Sequence, residues 1–307
     1  MTRWLITGAT GLLGSNAALR LSQSHEVVGT ARNRPPLYRG KFFEADLTGR
    51  SGRDGVVDKA APDVVLHTAA IASIEACERE PELARALNVD AAVELAAQAE
   101  QAGATFVHIS TDAVFDGEMG AYREDDDTSP TSEYGRTKRD AELAVLDANP
   151  QAIVARVNFY GWSPTGNRSL AEYFFNRLSE GQDAPGFTDT VVSTLYVDFL
   201  VDYLASLVRV NASGVFHVAS GEPTSKFQLG RRIASAFGFD SNRVTASEST
   251  SVLEVRRGSL LSLDVSKLEA ALAIEAVDQI TGVEKLRMDH AEGRHQLLSA
   301  FALKRGN

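Results

Sequence analysis

Residues 3–14 read Arg3-Trp-Leu-Ile-Thr-Gly-Ala-Thr-Gly-Leu-Leu-Gly14, an apolar run that enters a glycine-rich loop and continues as a helical pattern. In this context Gly8 permits a tight turn, Gly11 lets the backbone approach a pyrophosphate, and Gly14 allows close packing of helix on strand. Free N–H groups at the start of the helix then attract the anion. A plain strand-turn-helix is the alternative. The stretch predicts a dinucleotide-binding βαβ unit.

The first half of the chain alternates apolar runs of strand length with helical segments, which is typical of a parallel sheet. The predicted strands are Arg3–Thr7, Glu26–Thr30, Lys41–Ala45, Asp63–His67, Thr105–Ser110 and Ala152–Val157. The predicted helices are Leu12–Ser22, Asp54–Ala60, Glu82–Gln101 and Glu133–Ala148. The sequence therefore predicts an α/β fold with a Rossmann-type, doubly wound parallel sheet.

The alternation loosens beyond about Gly161. The elements predicted there are a helix at 169–180, a strand at 191–196, a helix at 197–210, a strand at 214–219, a helix at 226–237 and a terminal amphipathic segment at 283–303. We predict a dinucleotide-binding domain at 1–160 and a smaller, mainly helical substrate lobe at 161–307, with some segments returning to the sheet. The functional cleft is expected between the two units. The acidic run Glu124–Asp127 is expected to be a solvated loop.

Composition excludes several classes of protein. The 307 residues are 44% hydrophobic and 23% charged, as in ordinary globular chains. A net charge of -10 repels polyphosphates and anionic lipids, so neither nucleic acid nor membrane is an expected partner. Cys77 is the only cysteine, which excludes an intrachain disulfide and fits a cytoplasmic protein. The histidines show no metal-ligand spacing, so no metal is expected. A homodimer is one option for its assembly.

The end of the second predicted strand indicates which dinucleotide is preferred. NAD-binding folds usually place a carboxylate there for the ribose 2′-hydroxyl. Residues 27–34 carry none and instead contain Arg32 and Arg34, and a guanidinium can pair with a 2′-phosphate. A solvent-exposed arginine is the alternative. We predict NADPH as cofactor, with NADH as the second option. Asp46 is expected either to accept from the adenine amino group or to cap a helix.

Tyr134 and Lys138 lie four residues apart, on one face of a predicted helix. A neighbouring ammonium lowers the pKa of a phenol, so the pair can act as a general acid–base while the lysine holds cofactor ribose hydroxyls. Ser110 and Thr111 end a strand some twenty residues earlier. Thr111 is expected to hydrogen-bond the carbonyl oxygen that Tyr134 protonates.

The motifs TGATGLLG, HTAAIASIEACEREPE, ALN, HISTDAVFDG, YGRTK and RRGSLLSLDVSK follow one another in the order seen in extended short-chain dehydrogenases/reductases. In particular, the chain resembles the dTDP-4-dehydrorhamnose reductase group. The resemblance covers residues 3–160 well and the remainder loosely.

This resemblance implies roles for particular residues. The residues implied at the cofactor are Gly8, Gly11, Leu12, Leu13 and Gly14 at the pyrophosphate, Asp46 and Leu47 at the adenine, Ala70, Ile71, Ala72 and Ser110 along its face, and Tyr134 and Lys138 at the nicotinamide. Asn88 matches an asparagine-bearing segment of the family, which implies an anchor for the active-site loop. A helix-surface asparagine is the alternative.

Three departures from the group concern the substrate. Ala113 replaces a tyrosine that would border it. The segment after the sixth strand, residues 156–162, differs from that of the group, so Asn158 and Trp162 are expected to shape the pocket. The strand at 191–196 lacks an arginine that clamps the diphosphate in nucleotide-sugar epimerases, and Arg168 is the candidate substitute. Asp112, beside the catalytic threonine, is also expected to bind substrate.

These features predict an NAD(P)H-dependent reductase of a keto sugar, with a nucleotide-activated 4-keto-6-deoxysugar as the first choice. A nucleotide-sugar epimerase or dehydratase of the same superfamily is one alternative. Dehydratases usually place an acidic pair after the catalytic threonine, whereas here only Asp112 follows it. A non-catalytic NADP-binding regulatory subunit is another alternative, although such a protein has no need of the proton donor Tyr134.

Overall fold

A computed structural model describes residues 1–249 and 258–303. Its strands are β1 Arg3–Thr7, β2 Glu26–Ala31, β3 Lys41–Glu44, β4 Val64–His67, β5 Thr105–Thr111, β6 Ile153–Val157, β7 Phe159–Tyr160, β8 Ala184–Phe187, β9 Val191–Val192, β10 Leu195–Tyr196, β11 Gly214–His217, β12 Thr224–Ser225, β13 Val244–Ser247 and β14 Leu260–Leu261. Its α-helices are α1 Leu12–Leu21, α2 Arg50–Arg53, α3 Val56–Ala60, α4 Ile74–Arg79, α5 Pro81–Arg85, α6 Ala91–Ala102, α7 Glu133–Ala148, α8 Leu170–Ser179, α9 Val197–Arg209, α10 Lys226–Phe237, α11 Ser266–Leu272, α12 Gln279–Ala291 and α13 Arg294–Leu298.

The main sheet of the described residues has seven strands in the order β11-β6-β5-β4-β1-β2-β3, and every neighbouring pair is parallel. The strand order reverses between β1 and β4. Ligands of open α/β sheets bind at such a reversal, beyond the carboxyl ends of the strands. The predicted doubly wound fold is confirmed, and its switch point lies where the glycine-rich loop follows β1.

Helices cover both faces of this sheet, because its strands are apolar on both sides. In β1, Trp4 and Ile6 pack into the core on the side of α1 and α9. Leu5 packs into the opposite core, formed with α3, α6 and α7. All three side chains are at most 2% exposed. The sheet is therefore rigidly enclosed, and its carboxyl edge remains available for a site.

The second half of the chain adds small sheets at this edge. Strand β8 pairs with β13, β9 pairs with β12 and β14, and β7 pairs with β10. Helices α8, α10 and α12 pack among them, whereas β11 returns to the main sheet beside β6. The boundary between residues 160 and 161 stays a prediction. No helix of the described ranges is long and apolar enough to cross a membrane.

Several elements differ from the sequence predictions. The helix predicted at 82–101 contains a π-helical turn, Ala86–Asp90, between α5 and α6. The terminal segment breaks at Gly293, whose positive φ of 77° separates α12 from α13. The acidic run is only partly solvated: the Glu124 carboxylate accepts a hydrogen bond from the backbone of His217 at 2.9 Å. The last of these differences depends on a contact between distant parts of the chain.

Candidate active site

Three adjoining cavities form one cleft along the carboxyl edge of the sheet. The loop cavity extends from the glycine-rich loop to Arg32, the central cavity lies over α7, and the lobe cavity extends to Lys226. Their volumes are about 250, 430 and 150 Å³. Gly11 and Arg168 line both of the first two, while Tyr134 lines both of the last two. These shared residues make the cleft elongated, with Tyr134 between its central and lobe parts.

The glycine-rich loop needs its glycines because the backbone is crowded. Gly8 has φ = 64°, in the left-handed region. A Cβ on Gly14 would lie 2.3 Å from the Gly8 carbonyl oxygen, and one on Gly8 would lie 2.8 Å from the Ala69 Cα. Gly11 is the N-cap of α1 and provides no side-chain cap, so the first turn offers its N–H groups to a ligand. Leu12 and Leu13 continue the wall of the central cavity.

The loop cavity brings together Arg32, Asp46 and Leu47, and their contacts with a cofactor stay a prediction. Asp46 does not cap α2, whose N-cap is Gly49; its Oδ1 instead accepts bonds from the backbone and hydroxyl of Thr48. These bonds hold the pKa of Asp46 below its usual value.

The second arginine of this region, Arg34, does not line the loop cavity. Its guanidinium donates to the carbonyl oxygens of Gly40 and Phe42, both at 3.1 Å. Arg32 is thus the guanidinium that β2 presents to the cavity.

The central cavity brings together Thr111, Tyr134 and Lys138. Thr111 ends β5, and the other two lie one turn apart on α7. Ser132 caps this helix by accepting from the Gly135 N–H at 3.2 Å, which fixes its first turn. The predicted catalytic set therefore shares one cavity with the glycine-rich loop.

Burial controls the electrostatics of this set. It raises the pKa of Tyr134 above the ordinary value of a phenol, while a hydrogen bond with Thr111 acts in the opposite direction. It lowers the pKa of Lys138 to about 8, against the opposing effect of Glu142. The expectation that the lysine leaves Tyr134 with a lowered pKa is wrong, because desolvation of the phenol outweighs its neighbours. Lys138 is nevertheless mostly protonated at neutral pH.

Asn88 anchors the loop that precedes α4. It lies in the π-helical turn, is fully buried, and both accepts from the Ile71 N–H at 2.8 Å and donates to the Ile71 carbonyl oxygen at 3.1 Å. It also donates to Thr137 on α7 at 3.0 Å. The anchoring role is confirmed, and a surface role is excluded. Ile71 itself lines none of the three cavities, whereas Ala70 and Ala72 do.

Asp112 and Asn158 face both the central and the lobe cavity. The Asn158 amide donates to Asp112 Oδ2 at 2.6 Å, and Thr111 donates to Oδ1 at 3.1 Å. Burial raises the pKa of Asp112 to about 6, and both hydrogen bonds oppose this rise. The pair connects Thr111 to the lobe cavity, where Lys226 and Thr190 supply polar groups.

Two predicted substrate residues lie elsewhere. Trp162 is 3% exposed, donates to the Leu286 carbonyl oxygen and packs edge-on against Phe175, so it belongs to the hydrophobic core on the α1 side of the main sheet. Arg168 lies not in the lobe cavity but across the glycine-rich loop, with its Nη1 3.5 Å from the Thr10 carbonyl oxygen. Neither position follows from spacing in the sequence, because each depends on the path of the chain after β6.

Other site residues were missed or are placed differently. The Ser110 hydroxyl donates to Glu142 at 2.5 Å and is therefore engaged within the protein, although the residue borders the central cavity. Leu303 borders the loop cavity and Lys226 borders the lobe cavity, with no local motif to mark either. The first two residues of the RRGSLLSLDVSK motif, Arg256 and Arg257, lie outside the described residues. No group of metal-ligand side chains occurs in ranges 1–249 and 258–303.

The sheet order and the Thr-Tyr-Lys set beside a glycine-rich loop define an extended short-chain dehydrogenase/reductase. Within that class, the chain belongs to the family described as the RmlD substrate binding domain, whose model matches residues 2–290. The resemblance stated from the motifs is thereby confirmed.

Three similar proteins illustrate the range of this family and fold. The chain is 33% identical over 274 residues to the probable low-salt glycan biosynthesis reductase Agl14 of Haloferax volcanii, covering 87% of this chain and 91% of that protein. It is 32% identical over 277 residues to methionine adenosyltransferase 2 subunit beta of Pongo abelii, and the match covers 87% of this chain and 81% of that protein. The fold matches a dTDP-4-dehydrorhamnose reductase from Bacillus anthracis, solved in complex with NADP, with TM-score 0.83 at 23% identity over 94% of this chain and 99% of that one.

Proposed function

We propose that the protein is an NADPH-dependent reductase of a keto sugar, with a nucleotide-activated 4-keto-6-deoxysugar as substrate. The observation that carries the proposal is the placement of Thr111, Tyr134 and Lys138 in a cavity continuous with the glycine-rich loop. The similarity to a probable glycan biosynthesis reductase supports the reaction type. The dTDP-4-dehydrorhamnose reductases among similar structures support the substrate class.

The loop and central cavities fit a nicotinamide dinucleotide, since Gly11 lines both of them and leaves the first turn of α1 without a side-chain cap. Gly8, Gly11 and the start of α1 would hold its pyrophosphate, and Arg32 its 2′-phosphate. When bound, the reduced nicotinamide supplies a hydride to the carbonyl carbon of the sugar. Lys138 would hold its ribose hydroxyls.

The remaining chemistry falls to the side chains of the central cavity. Tyr134 donates its proton to the carbonyl oxygen as that oxygen gains negative charge, and the Thr111 hydroxyl hydrogen-bonds the same oxygen. The positive charge of Lys138 favours the phenolate that remains. Asp112 and Asn158 are proposed to hold sugar hydroxyls, since both face the cavity on the substrate side.

The direct test is NADPH oxidation with a dTDP-linked 4-keto-6-deoxysugar. We expect saturable loss of NADPH absorbance and an equimolar sugar product with one more hydroxyl. The same sugar without its nucleotide is the control for the substrate class. If NADPH binds and no keto sugar on a nucleotide carrier is reduced, the proposed function is wrong.

The cofactor proposal predicts an effect of Arg32→Ala. A charge-assisted hydrogen bond contributes about 1.5–3 kcal/mol, so the variant should lose at least about ten-fold of its affinity for NADPH. Its affinity for NADH should be unchanged, because that cofactor lacks the 2′-phosphate. Fluorescence titration of both cofactors measures this. Equal affinities of the wild type for NADPH and NADH would contradict the role of Arg32.

Arg168→Ala provides the matched comparison. Arg168 borders both the loop and the central cavity and lies beside the glycine-rich loop, so we propose that it contacts the cofactor pyrophosphate. Loss of this guanidinium should weaken the binding of NADH and of NADPH to the same extent. If only the affinity for NADPH falls, this guanidinium contacts the 2′-phosphate instead.

A non-catalytic regulatory subunit is the second candidate, and one observation favours it: the 32% identity to a methionine adenosyltransferase beta subunit. The two candidates differ in whether the proton donor Tyr134 is used. The turnover assay above distinguishes them.

A further inference from the structure

A row of buried polar side chains runs from the first strand of the sheet to Lys138. Thr7, His67 and His108 occupy matching positions on the neighbouring strands β1, β4 and β5. Their exposed fractions are 0%, 2% and 0%. The two imidazole rings stack with centroids 5.8 Å apart and planes at 19°. At the end of the row, His108 Nε2 lies 3.1 Å from Lys138 Nζ.

The hydrogen bond with Lys138 assigns a tautomer to His108. An ammonium can only donate, so His108 Nε2 accepts from Lys138 and the ring carries its hydrogen on Nδ1. Thr7 Oγ1 accepts from the Ala69 N–H and forms a hydrogen bond with His67 Nδ1 at 2.9 Å. Burial lowers the pKa of His67 to about 3 and that of His108 well below its ordinary value, and the charge of Lys138 adds to both effects. Both rings are therefore neutral at physiological pH.

The other titratable groups around Lys138 do not provide an equivalent contact. The Glu142 carboxylate, one turn further along α7, accepts three bonds from Arg156. Cys77 on α4 is a neutral thiol at physiological pH, because burial raises its pKa to about 11. Among the described residues, His108 is the side chain hydrogen-bonded to Lys138 Nζ.

We propose that His108 is a positioning residue, which holds the Lys138 ammonium at the central cavity through a neutral acceptor. A carboxylate in its place would also hold the ammonium but would compensate the charge that favours the Tyr134 phenolate. The ring is not a proton relay, because an imidazolium would form beside an ammonium in a buried site. Moreover, His108 Nδ1 has no hydrogen-bond partner among the described residues to which a proton could pass. The proposal rests on the proposed function for the role of Tyr134.

Cofactor binding tests this without turnover. Charged Lys138 would hold the ribose hydroxyls, so NADPH affinity should fall as pH rises through the Lys138 pKa of about 8. In His108→Phe the ammonium loses its acceptor but stays buried, which lowers this pKa further and moves the loss of affinity to lower pH. At neutral pH we expect about ten-fold weaker NADPH binding, the effect of one hydrogen bond to a charged group. His108→Gln, whose amide oxygen can occupy the position of Nε2, should restore both properties.

His108→Asn is the matched comparison, since its shorter side chain places the amide near Nδ1, out of reach of Lys138. The Gln and Asn variants remain informative if the Phe variant fails to fold. The proposal is overturned if NADPH affinity in the Asn variant depends on pH in the same way as in the wild type. The proposal is also overturned if the Gln and Asn variants lose NADPH affinity equally at unchanged melting temperature. The imidazole itself, and not an acceptor at the position of Nε2, would then be required. Neither measurement needs a keto sugar, so these outcomes are distinguishable from failure of the proposed reductase activity.

Discussion

Tyr134→Phe is expected to lower kcat for keto-sugar reduction by about 10³-fold, within the range that general acid catalysis contributes. The substitution removes the proton donor and leaves the ring, so the packing of α7 against β5 is retained. Affinity for NADPH should change by no more than a few-fold, since the proposed cofactor contacts come from the glycine-rich loop, Arg32 and Lys138. Steady-state kinetics and fluorescence titration measure the two quantities separately.

Thr111→Val is the companion variant. It removes the hydroxyl that hydrogen-bonds Tyr134 and, in the proposed mechanism, the carbonyl oxygen, but it leaves the phenol in place. A smaller loss of kcat than in Tyr134→Phe is expected. A Phe variant that kept most of its turnover would remove Tyr134 from the chemistry and would favour the regulatory-subunit alternative.

Arg156→Met is expected to destabilise the fold by about 3–5 kcal/mol, the cost of leaving one member of a buried ion pair uncompensated. The Arg156 guanidinium contacts the Glu142 carboxylate at 2.9 Å, and the two side chains are 5% and 4% exposed. Arg156 also stacks over the Phe115 ring, with its guanidinium carbon 5.0 Å from the ring centroid. The midpoint and slope of urea unfolding give the change in free energy.

Two further variants test the physical reason for that loss. Adding Glu142→Gln to Arg156→Met removes the uncompensated charge and should recover part of the stability. Arg287→Met breaks an exposed pair with Glu284, whose side chains are 43% and 51% exposed, and should cost at most about 1 kcal/mol. Equal losses in Arg156→Met and Arg287→Met would mean that burial does not determine the cost.

Local patterns predicted the sheet well, whereas the catalytic set Thr111, Tyr134 and Lys138, which lines one cavity, stays a prediction. The strand ends and the glycine-rich loop follow from apolar periodicity and steric demands within a few residues, and Tyr134 with Lys138 follows from helical spacing. The positions of Trp162 and Arg168 could not be predicted in this way. Each depends on the path of the chain after β6, which brings one side chain into a core and the other to the glycine-rich loop.

The contact between His108 and Lys138 was missed for a similar reason. A histidine within an apolar strand gives no sign of which helix will cover it, and the register of β4 and β5 decides which rings stack. The lowered pKa of Lys138 likewise depends on burial by groups far apart in the chain. Sequence identifies the chemical groups, whereas long-range packing determines their charges.

The return of β11 to the main sheet bears on how the chain folds during synthesis. Strand β6 ends at Val157, but its outer neighbour starts only at Gly214, after the small strands β7 to β10 and helices α8 and α9 have been made. Throughout that interval β6 is the outermost strand on this side of the nascent sheet, and unpaired sheet edges are sites of intermolecular pairing. Strand β6 therefore becomes an interior strand of the sheet only after Gly214–His217 has been synthesised.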